Sequence, residues 1–484
     1  MPLNPKIHHL SELRHVLSNN EKTSEGLVSF FVKLKFEGLC KVFDGVKTKG
    51  YEVTGPLLIL CLLQLSNLSV WAMFRSGIST LGESGKDVYY RLKNNPMLDW
   101  RKLLLAAAKR YNALVSQASI DIDNILVKCF ILDDSSIEKT GYKIEFIGKV
   151  FNHVSQRMVL GYKMLTLGYW DGKSFIGIDF SMHREKGKQK TKPYGLKNKQ
   201  LKEQYSKQRP EGSPQSKRVK ELDVSKIDNA IKLLKRAVKN GFKASYVLTD
   251  SWFVSEKLLL EIRGITSGAM HLLGMCKMDK RKYLYEGRLY TAKELLKKGK
   301  KRTKRARKFK AHYVDFVVEY KGTKVKLFFS HYSAKRSWNL LLTTDLGLNY
   351  TRAIEIYQIR WTIEVFFKET KQYLGLGKTQ SNDFDAHIAD ITLIMVTHIV
   401  LSLQKRFGSY ETMGILFHEN QKQLLELTLW ERLWGLFIEL MNEVLEFLGV
   451  DIETLIENTL RDEKTEKRLI KVLQLLDEES KNAA

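Results

Sequence analysis

The order of predicted strands and helices between residues 125 and 276 constrains the fold of this chain more than any other feature of the sequence. Runs with strand and helix periodicity follow one another as three strands, helix, strand, helix, strand. They are predicted at Val127–Leu132, Val159–Trp170, Ser174–Ser181, Val224–Asn240, Ala244–Thr249, Ser255–Arg263 and Ala269–Cys276. The first and fourth strands end at the carboxylates Asp133-Asp134 and Asp250. Because sites in α/β sheets are built at strand ends, this order predicts an α/β fold with a site at these aspartates.

Helical patterns precede this α/β segment. Glu25–Phe43, Pro56–Phe74 and Leu98–Ala118 are long apolar-periodic segments. Between the second and the third, a turn containing glycine precedes a short helix with polar and aromatic residues. These are Tyr89, Tyr90, Arg91, Lys93 and Asn94. The arrangement suits a helix-turn-helix that reads DNA, although any helical hairpin with a polar outer face has a similar pattern.

A second interruption follows the α/β segment. Residues 277–345 contain a basic run and three predicted β segments, at His312–Tyr320, Lys324–Ser330 and Trp338–Thr344. We interpret this stretch as an inserted β subdomain. Helical periodicity returns at Tyr350 and persists to the end of the sequence.

The positive charge of the chain is concentrated. The chain has 80 Lys and Arg against 54 Asp and Glu, a formal net charge of +26. His183–Lys220 carries +10 and Lys277–Lys310 carries +13. Such an excess indicates a polyanionic partner, because phosphates attract Lys and Arg and release counterions on binding. The first segment is rich in Pro, Lys, Gln and Ser and is predicted to be a mobile loop, although a charged run can also serve solubility alone.

An anionic membrane surface is the alternative polyanion, and the sequence argues against it. The most apolar stretch, Leu57–Phe74, is interrupted by polar residues and never offers about 18 unbroken apolar residues. The start of the chain has no charged leader followed by an apolar run, so we expect a cytoplasmic protein. The four cysteines lie far apart and are predicted to be reduced packing residues.

A polar stripe lies on the predicted helix Thr351–Leu374. At about 100° per residue, Tyr357, Arg360, Glu364 and Lys371 fall within roughly 60° of one another. Apolar residues lie directly beside the stripe, so the helix is predicted to pack on the sheet with these four side chains at the edge of the contact. A solvated helix face would also be polar.

The spacing Tyr-x2-Arg-x3-Glu-x6-Lys resembles the signature of bacterial insertion-sequence transposases of the "IS four" type. LDDSS and LTDSWF precede it in the order that the family shows, and the resemblance covers Val127–Asp390. It implies a DDE transposase with a ribonuclease H-like mixed-sheet catalytic core. The first family motif usually reads Asp-Thr, and Asp134 directly precedes a hydroxyl residue here. We therefore prefer Asp134 to Asp133, because neighbouring residues of a strand point to opposite faces.

Three carboxylates without Cys or His form a hard oxygen site that suits Mg²⁺, with Mn²⁺ as an alternative. Asp134, Asp250 and Glu364 are the predicted catalytic residues and metal ligands, for two ions in one active site. Further side chains are predicted to contact DNA. Arg360, Lys371 and Tyr357 are assigned to phosphates, and Trp252 and Trp338 to base stacking, with a core role equally open for both tryptophans.

The resemblance also implies partners and a domain order. The expected reaction is cut-and-paste transposition, with binding of terminal inverted repeats, strand cleavage and strand transfer. We expect double-stranded DNA as partner, both transposon ends and target, with a homodimer in the DNA complex, no membrane, and a place in the bacterial cytoplasm near the nucleoid. The predicted regions are a helical DNA-end-binding region 1–120, a first core part 121–276 with a basic loop 183–222, a basic β insertion 277–346, the catalytic helix and core end 347–410, and a helical, dimerising region 411–484. A nuclease or resolvase on the same fold, and a domesticated DNA-binding protein without activity, are the alternatives.

Overall fold

A computed structural model of the chain describes residues 27–46, 52–66, 68–75, 85–117, 126–332, 337–408 and 410–422. Met1–Asn420 form one compact unit and Gln421–Ala484 another. Almost all of the second unit, which falls in the predicted helical region 411–484, lies outside the described residues.

The described residues form fourteen α-helices and twelve strands. The α-helices are α1 Leu27–Lys33, α2 Phe36–Cys40, α3 Thr54–Leu65, α4 Val70–Arg75, α5 Lys86–Lys93, α6 Trp100–Gln117, α7 Asn198–Lys202, α8 Pro214–Glu221, α9 Lys226–Lys239, α10 Glu256–Ile265, α11 Ala292–Gly299, α12 Tyr350–Gln358, α13 Trp361–Gln372 and α14 Phe384–Phe407. The strands are β1 Cys129–Glu138, β2 Gly148–Asn152, β3 Arg157–Trp170, β4 Phe175–His183, β5 Tyr246–Thr249, β6 His271–Cys276, β7 Lys282–Tyr285, β8 Arg288–Thr291, β9 Lys304–Ala306, β10 Ala311–Tyr320, β11 Thr323–His331 and β12 Asn339–Thr343.

All twelve strands belong to one mixed sheet. In its first half, β3 lies between β4 and β1 with antiparallel pairing on both sides. Strand β1 then pairs in parallel with β5, and β5 in parallel with β6. The sheet therefore reads β4-β3-β1-β5-β6, three antiparallel strands followed by two parallel ones. This confirms the α/β fold with a mixed sheet that the sequence predicted.

Strand β1 is longer than predicted. The prediction ended it at Leu132, before the two aspartates, but the strand continues to Glu138 because it pairs with β3 along its whole length. Gly161 of β3 permits this close approach, since a Cβ atom there would lie 2.1 Å from the carbonyl oxygen of Ile137. Asp133 and Asp134 thus lie inside a strand and point to opposite faces of the sheet.

The insertion extends the core sheet. Its three predicted β segments are present as β10, β11 and β12, and β12 pairs antiparallel with β6. The hairpin of β7 and β8, the short strand β9 and helix α11 were not predicted. The basic segment therefore includes folded elements that are hydrogen-bonded to the same sheet as the aspartates.

Helix α14 forms the centre of the helical layer. It is almost entirely buried and packs against α6, α3, α1 and β4. Among the described residues it is the one helix long and apolar enough to cross a membrane, yet 94% of its apolar window is buried inside the protein. The apolar stretch Leu57–Phe74 divides into α3 and α4.

The loop 183–222 was predicted to be a mobile segment, and the structure differs from that prediction. It contains α7 and α8, and buried ion pairs attach it to the core. Arg209 pairs with Glu145 at 2.5 Å and with Asp385 at 2.9 Å. Lys207 pairs with Asp383 at 2.6 Å. These carboxylates lie far away in the sequence, so the composition of the loop does not reveal its anchors.

Candidate active site

Strand β1 presents its two aspartates to different surroundings. Asp133 accepts a hydrogen bond from Arg360 Nη1 at 3.2 Å. Asp134 pairs with Lys226 at 2.5 Å and with Lys163 at 3.4 Å. The two faces of the strand therefore carry two separate ionic groups.

Asp250 follows β5 and belongs with Asp133. The parallel register pairs Leu132 with Thr249, and each aspartate is the next residue in its chain segment. Burial, and next the neighbouring charge of Asp250, raise the pKa of Asp133 to about 7. The backbone N–H groups of Trp252 and Phe253 donate to Asp250 Oδ1, at 2.9 and 3.4 Å, and orient that carboxylate.

The helix that carries the polar stripe is not continuous. The prediction placed one helix over Thr351–Leu374, but α12 ends at Gln358 and α13 begins at Trp361. In the turn between them, the N–H groups of residues 359, 360, 362 and 363 each bond to the carbonyl three residues earlier. Backbone wound in this way turns by more than 100° per residue, so the angles predicted for the residues of the stripe do not hold across this turn.

Arg360 lies in this turn and joins two carboxylates. Its Nη2 donates to Glu364 Oε1 at 2.6 Å, while Nη1 contacts Asp133. Only 8% of Arg360 is exposed. Burial disfavours the charged guanidinium, but Tyr357, Glu364 and Asp133 raise its pKa. Burial also raises the pKa of Tyr357 to about 12. The structure thus brings Arg360 and Glu364 of the predicted stripe together with Asp133, and Asp250 lies beside them.

Lys371 contacts the same face of β1. Its Nζ donates to Ser135 Oγ at 2.7 Å, and Ser135 lies two residues after Asp133, on the same side of the strand. Burial lowers the pKa of Lys371. Asp133 and Ser135 therefore form the face of β1 that meets α13.

Asp134 lies on the other face. Burial by itself would raise its pKa, but Lys226 and Lys163 outweigh burial and lower it. These contacts favour Asp133 over Asp134, the residue that the sequence prediction preferred, as the first carboxylate of the group with Asp250 and Glu364. The choice follows from the direction of side chains in the strand, which the sequence LDDSS does not record.

The structure contains the carboxylates that the metal prediction requires, but it does not hold them in a preformed cluster. Among the described residues, no three His, Cys, Asp or Glu side chains lie close enough together to hold a metal ion as arranged. The chemistry of Asp133, Asp250 and Glu364 fits a hard divalent cation, because all three offer carboxylate oxygens. Arg360 lies between two of them and neutralises part of their charge.

The aromatic residues near this group differ in exposure. Trp252 is 45% exposed and its ring lies under the ammonium group of Lys226. Trp338 is half-buried and its ring lies 4.2 Å from that of His331. Trp361, which the sequence reasoning missed, is 57% exposed and its ring lies 5.2 Å from the Arg360 guanidinium. Its position directly after Arg360, within an otherwise amphipathic helix, was the available signal.

The predicted helix-turn-helix is only partly described, because residues 76–84 of its turn lie outside the described ranges. In α5, Tyr89 is buried and Lys93 pairs with Asp390 of α14 at 3.2 Å. Tyr90 is 36% exposed. Two of the five residues singled out in the sequence therefore stabilise the fold.

The insertion exposes a dense group of cations. Lys298, Lys304 and Lys308 have carboxylate partners, Glu286, Asp315 and Glu355. The other cations from 293 to 310 are exposed and pair with no carboxylate of the described residues. They are Lys293, Lys297, Lys300, Lys301, Arg302, Arg305, Arg307 and Lys310. We call this surface the insertion patch.

The mixed sheet and its helices form an α/β fold, and the ribonuclease H-like type of this fold is the one that a transposase DDE domain implies. Residues 179–400 match the family model of the transposase DDE domain. Residues 179–400 are therefore similar to the DDE domain of transposases, which supports a DDE transposase. The match includes Asp250 and Glu364, but it begins at Asp179 and so includes neither Asp133 nor Asp134. No curated protein matches the chain.

Proposed function

We propose that this DDE transposase binds the terminal inverted repeats of a bacterial insertion sequence of the "IS four" type and moves that element by cut-and-paste transposition. The observation that supports the reaction best is the meeting of Asp133, Asp250 and the Arg360–Glu364 pair at the junction of β1, β5 and α13. Asp133 and the Arg360 guanidinium are largely buried and are costly to bury, which argues for a catalytic use of the carboxylates around them.

Asp133, Asp250 and Glu364 are the proposed metal-binding residues. Two Mg²⁺ or Mn²⁺ ions bound there would activate the attacking oxygen and stabilise the leaving oxygen of a phosphodiester. Water as the nucleophile gives strand cleavage, and a DNA 3′-hydroxyl gives strand transfer.

The residues around the carboxylates are assigned to the DNA backbone. Arg360 and Lys371 lie on the α13 side of β1 and would contact phosphates next to the scissile bond and offset charge in the transition state. Tyr357, half-buried next to Arg360, would hydrogen-bond to the same strand. Trp252 and Trp338 remain candidates for stacking on an unpaired base, and the exposed Trp361 joins them.

The partners follow from the reaction. Transposon ends and target DNA are the proposed ligands, and a homodimer would hold two ends in one complex. The insertion patch offers an exposed cationic surface for duplex DNA. We place the protein in the bacterial cytoplasm, near the nucleoid.

The test uses the full chain and a duplex that ends in the inverted repeat of the element. With Mg²⁺, the wild-type protein is expected to nick the duplex at the repeat boundary and join the end to a second duplex. Glu364→Ala should bind the duplex as tightly without Mg²⁺ and fail to cleave it. Cleavage without joining would identify a nuclease or resolvase. Specific binding by both proteins with no cleavage by either would identify a non-catalytic DNA-binding protein.

A further inference from the structure

The face of β1 opposite α13 carries an ionic group that the proposed reaction does not use. Asp134 lies between two lysines, Lys226 of α9 and Lys163 of β3. Lys163 is almost fully buried, with 2% exposure. One carboxylate thus faces two ammonium groups, and the group keeps a net positive charge.

Lys226 is the cation of this group that reaches the surface. Its side chain is 16% exposed, against 3% for Lys163. It is the first residue of α9, so the positive end of that helix adds to its charge. Asp134 holds its Nζ in one place, 4.2 Å from the centre of the Trp252 ring.

Trp252 connects this group to the carboxylate site. Its backbone N–H donates to Asp250 Oδ1 at 2.9 Å, and this hydrogen bond fixes the position of Trp252 relative to Asp250. Phe253 packs edge-on against the indole, with ring centres 4.9 Å apart. Trp252 is nevertheless 45% exposed, although the Lys226 ammonium group lies over one face of its ring. A large aromatic side chain that is contacted on two sides and exposed elsewhere can stack against a flat ligand.

We propose that Lys226 and Trp252 form a nucleotide subsite beside Asp250, which binds one unpaired nucleotide of the DNA strand entering the active site. The base stacks on the indole and the phosphate contacts the Lys226 ammonium. Asp134 is a positioning residue: it sets the place of Lys226 and does not bind metal. This subsite rests on the proposed function, because the nucleotide belongs to the DNA that the transposase would cut.

A nucleotide satisfies both halves of the subsite at once. A free anion would need the cation alone, and an apolar ligand would need the ring alone. Base stacking on aromatic side chains combined with backbone contacts to cations is the common mode of single-strand binding, and it tolerates any base.

Binding without metal tests the subsite. The probe is a fluorescein-labelled oligothymidylate of roughly 12 nucleotides, titrated with the full chain in EDTA and followed by anisotropy. Trp252→Ala is expected to weaken binding about tenfold, and Trp252→Phe should restore most of the affinity because a ring remains. Lys226→Gln should weaken binding and lower the salt slope by about 0.7.

Lys235→Gln is the matched control. It removes the same charge from the same helix, but Lys235 pairs with Glu261 at 2.8 Å on an exposed surface. It should change affinity much less than Lys226→Gln. Equal losses for the two lysine variants, or Trp252→Ala binding like the wild type, would overturn the subsite.

The role of Asp134 is tested by Mn²⁺ binding, measured as the loss of the free-ion electron paramagnetic resonance signal. Asp133→Asn is expected to weaken Mn²⁺ binding at least tenfold, while Asp134→Asn stays within about twofold of the wild type. Loss of Mn²⁺ binding in Asp134→Asn would make Asp134 a ligand and contradict the positioning role. A wild-type chain that binds no DNA would instead refute the proposed function, so the two failures are distinguishable.

Discussion

The two basic segments of this chain look alike in sequence and differ in structure. In the loop 183–222, Lys207, Arg209 and Arg218 are held in ion pairs with partly or fully buried carboxylates, while nine lysines of the same loop are exposed. In the insertion, most cations from 293 to 310 are exposed and have no carboxylate partner among the described residues. The loop uses part of its charge to attach itself to the core, whereas every cation of the insertion from 293 to 310 is exposed to solvent.

This difference shows that a net charge and a binding surface are separate properties. Both segments contribute to the +26 of the chain, and both would attract a polyanion on composition alone. Lys207 and Arg209 of the loop contribute little to binding, because the carboxylates around them neutralise their field and occupy their donors. We expect folding stability to depend on the buried cations of the loop, and DNA affinity to depend on exposed cations such as those of the insertion patch.

Arg209→Ala should give the largest effect on stability. The side chain is 5% exposed, and its loss leaves Glu145 and Asp385 buried without their strongest partner. The expected cost is about 3–5 kcal/mol in the free energy of unfolding, measured by urea denaturation. Lys199→Ala in the same loop is the control, because Lys199 is 87% exposed and should cost no more than about 0.5 kcal/mol. A loss of less than about 1 kcal/mol for Arg209→Ala would show that ion pairs do not hold the loop.

The combined change of Lys300, Lys301 and Arg302 to Gln should give the complementary result. Three exposed cations without carboxylate partners are removed, so unfolding should change little. Affinity for duplex DNA should fall, and the slope of log K against log salt should drop by as much as about 2.7, or about 0.9 for each phosphate that the protein no longer neutralises. Anisotropy titrations over a salt series measure this. An unchanged slope would exclude these three side chains from the DNA interface.

Local patterns predicted the elements that carry strong periodicity. Strands β3 and β5 and helices α9 and α10 begin and end within two residues of their predicted bounds, because alternating or helical spacing of apolar side chains is visible in the sequence. The second half of β1 was missed because its polar residues Asp-Asp-Ser-Ser resemble a strand end. Pairing with β3 overrides that preference.

The site could be predicted in its residue types and not in its geometry. The spacing of Arg360 and Glu364 predicted that they share one stripe, and in the structure they form a hydrogen bond of 2.6 Å. The choice between Asp133 and Asp134 depends on how β1 is rotated, which follows from contacts with α13 and α9. Those contacts join residues more than ninety positions apart, and a single sequence contains no record of them.

The pH dependence of stability should also distinguish the two basic segments, by a smaller effect than the substitutions above. Burial opposes ionisation of Glu221 in the loop, but Arg218 and Arg101 lower its pKa below the ordinary value. A carboxyl whose pKa is lower in the folded state stabilises the fold above the unfolded pKa, near 4.3, and this contribution is lost as pH falls through the folded pKa. Glu221→Gln should therefore destabilise the protein at neutral pH and flatten the fall in stability below about pH 5. Thermal unfolding from neutral to acidic pH, in low and in high salt, measures both; an unchanged acid profile in Glu221→Gln would contradict the prediction.

Glu286→Gln in the insertion should give the smallest effect. Its hydrogen bond with Lys298 lowers the pKa of Glu286, as ion pairs lower that of Glu221, but both members of the pair are exposed. Solvent and salt screen exposed pairs, so any pH dependence that Glu286 contributes should be present at low salt and disappear at high salt. The dependence contributed by Glu221 should survive high salt, because its side chain is only 11% exposed. If both contributions disappear with salt, the loop is held no more tightly than the insertion patch, and the contrast between the two basic segments fails.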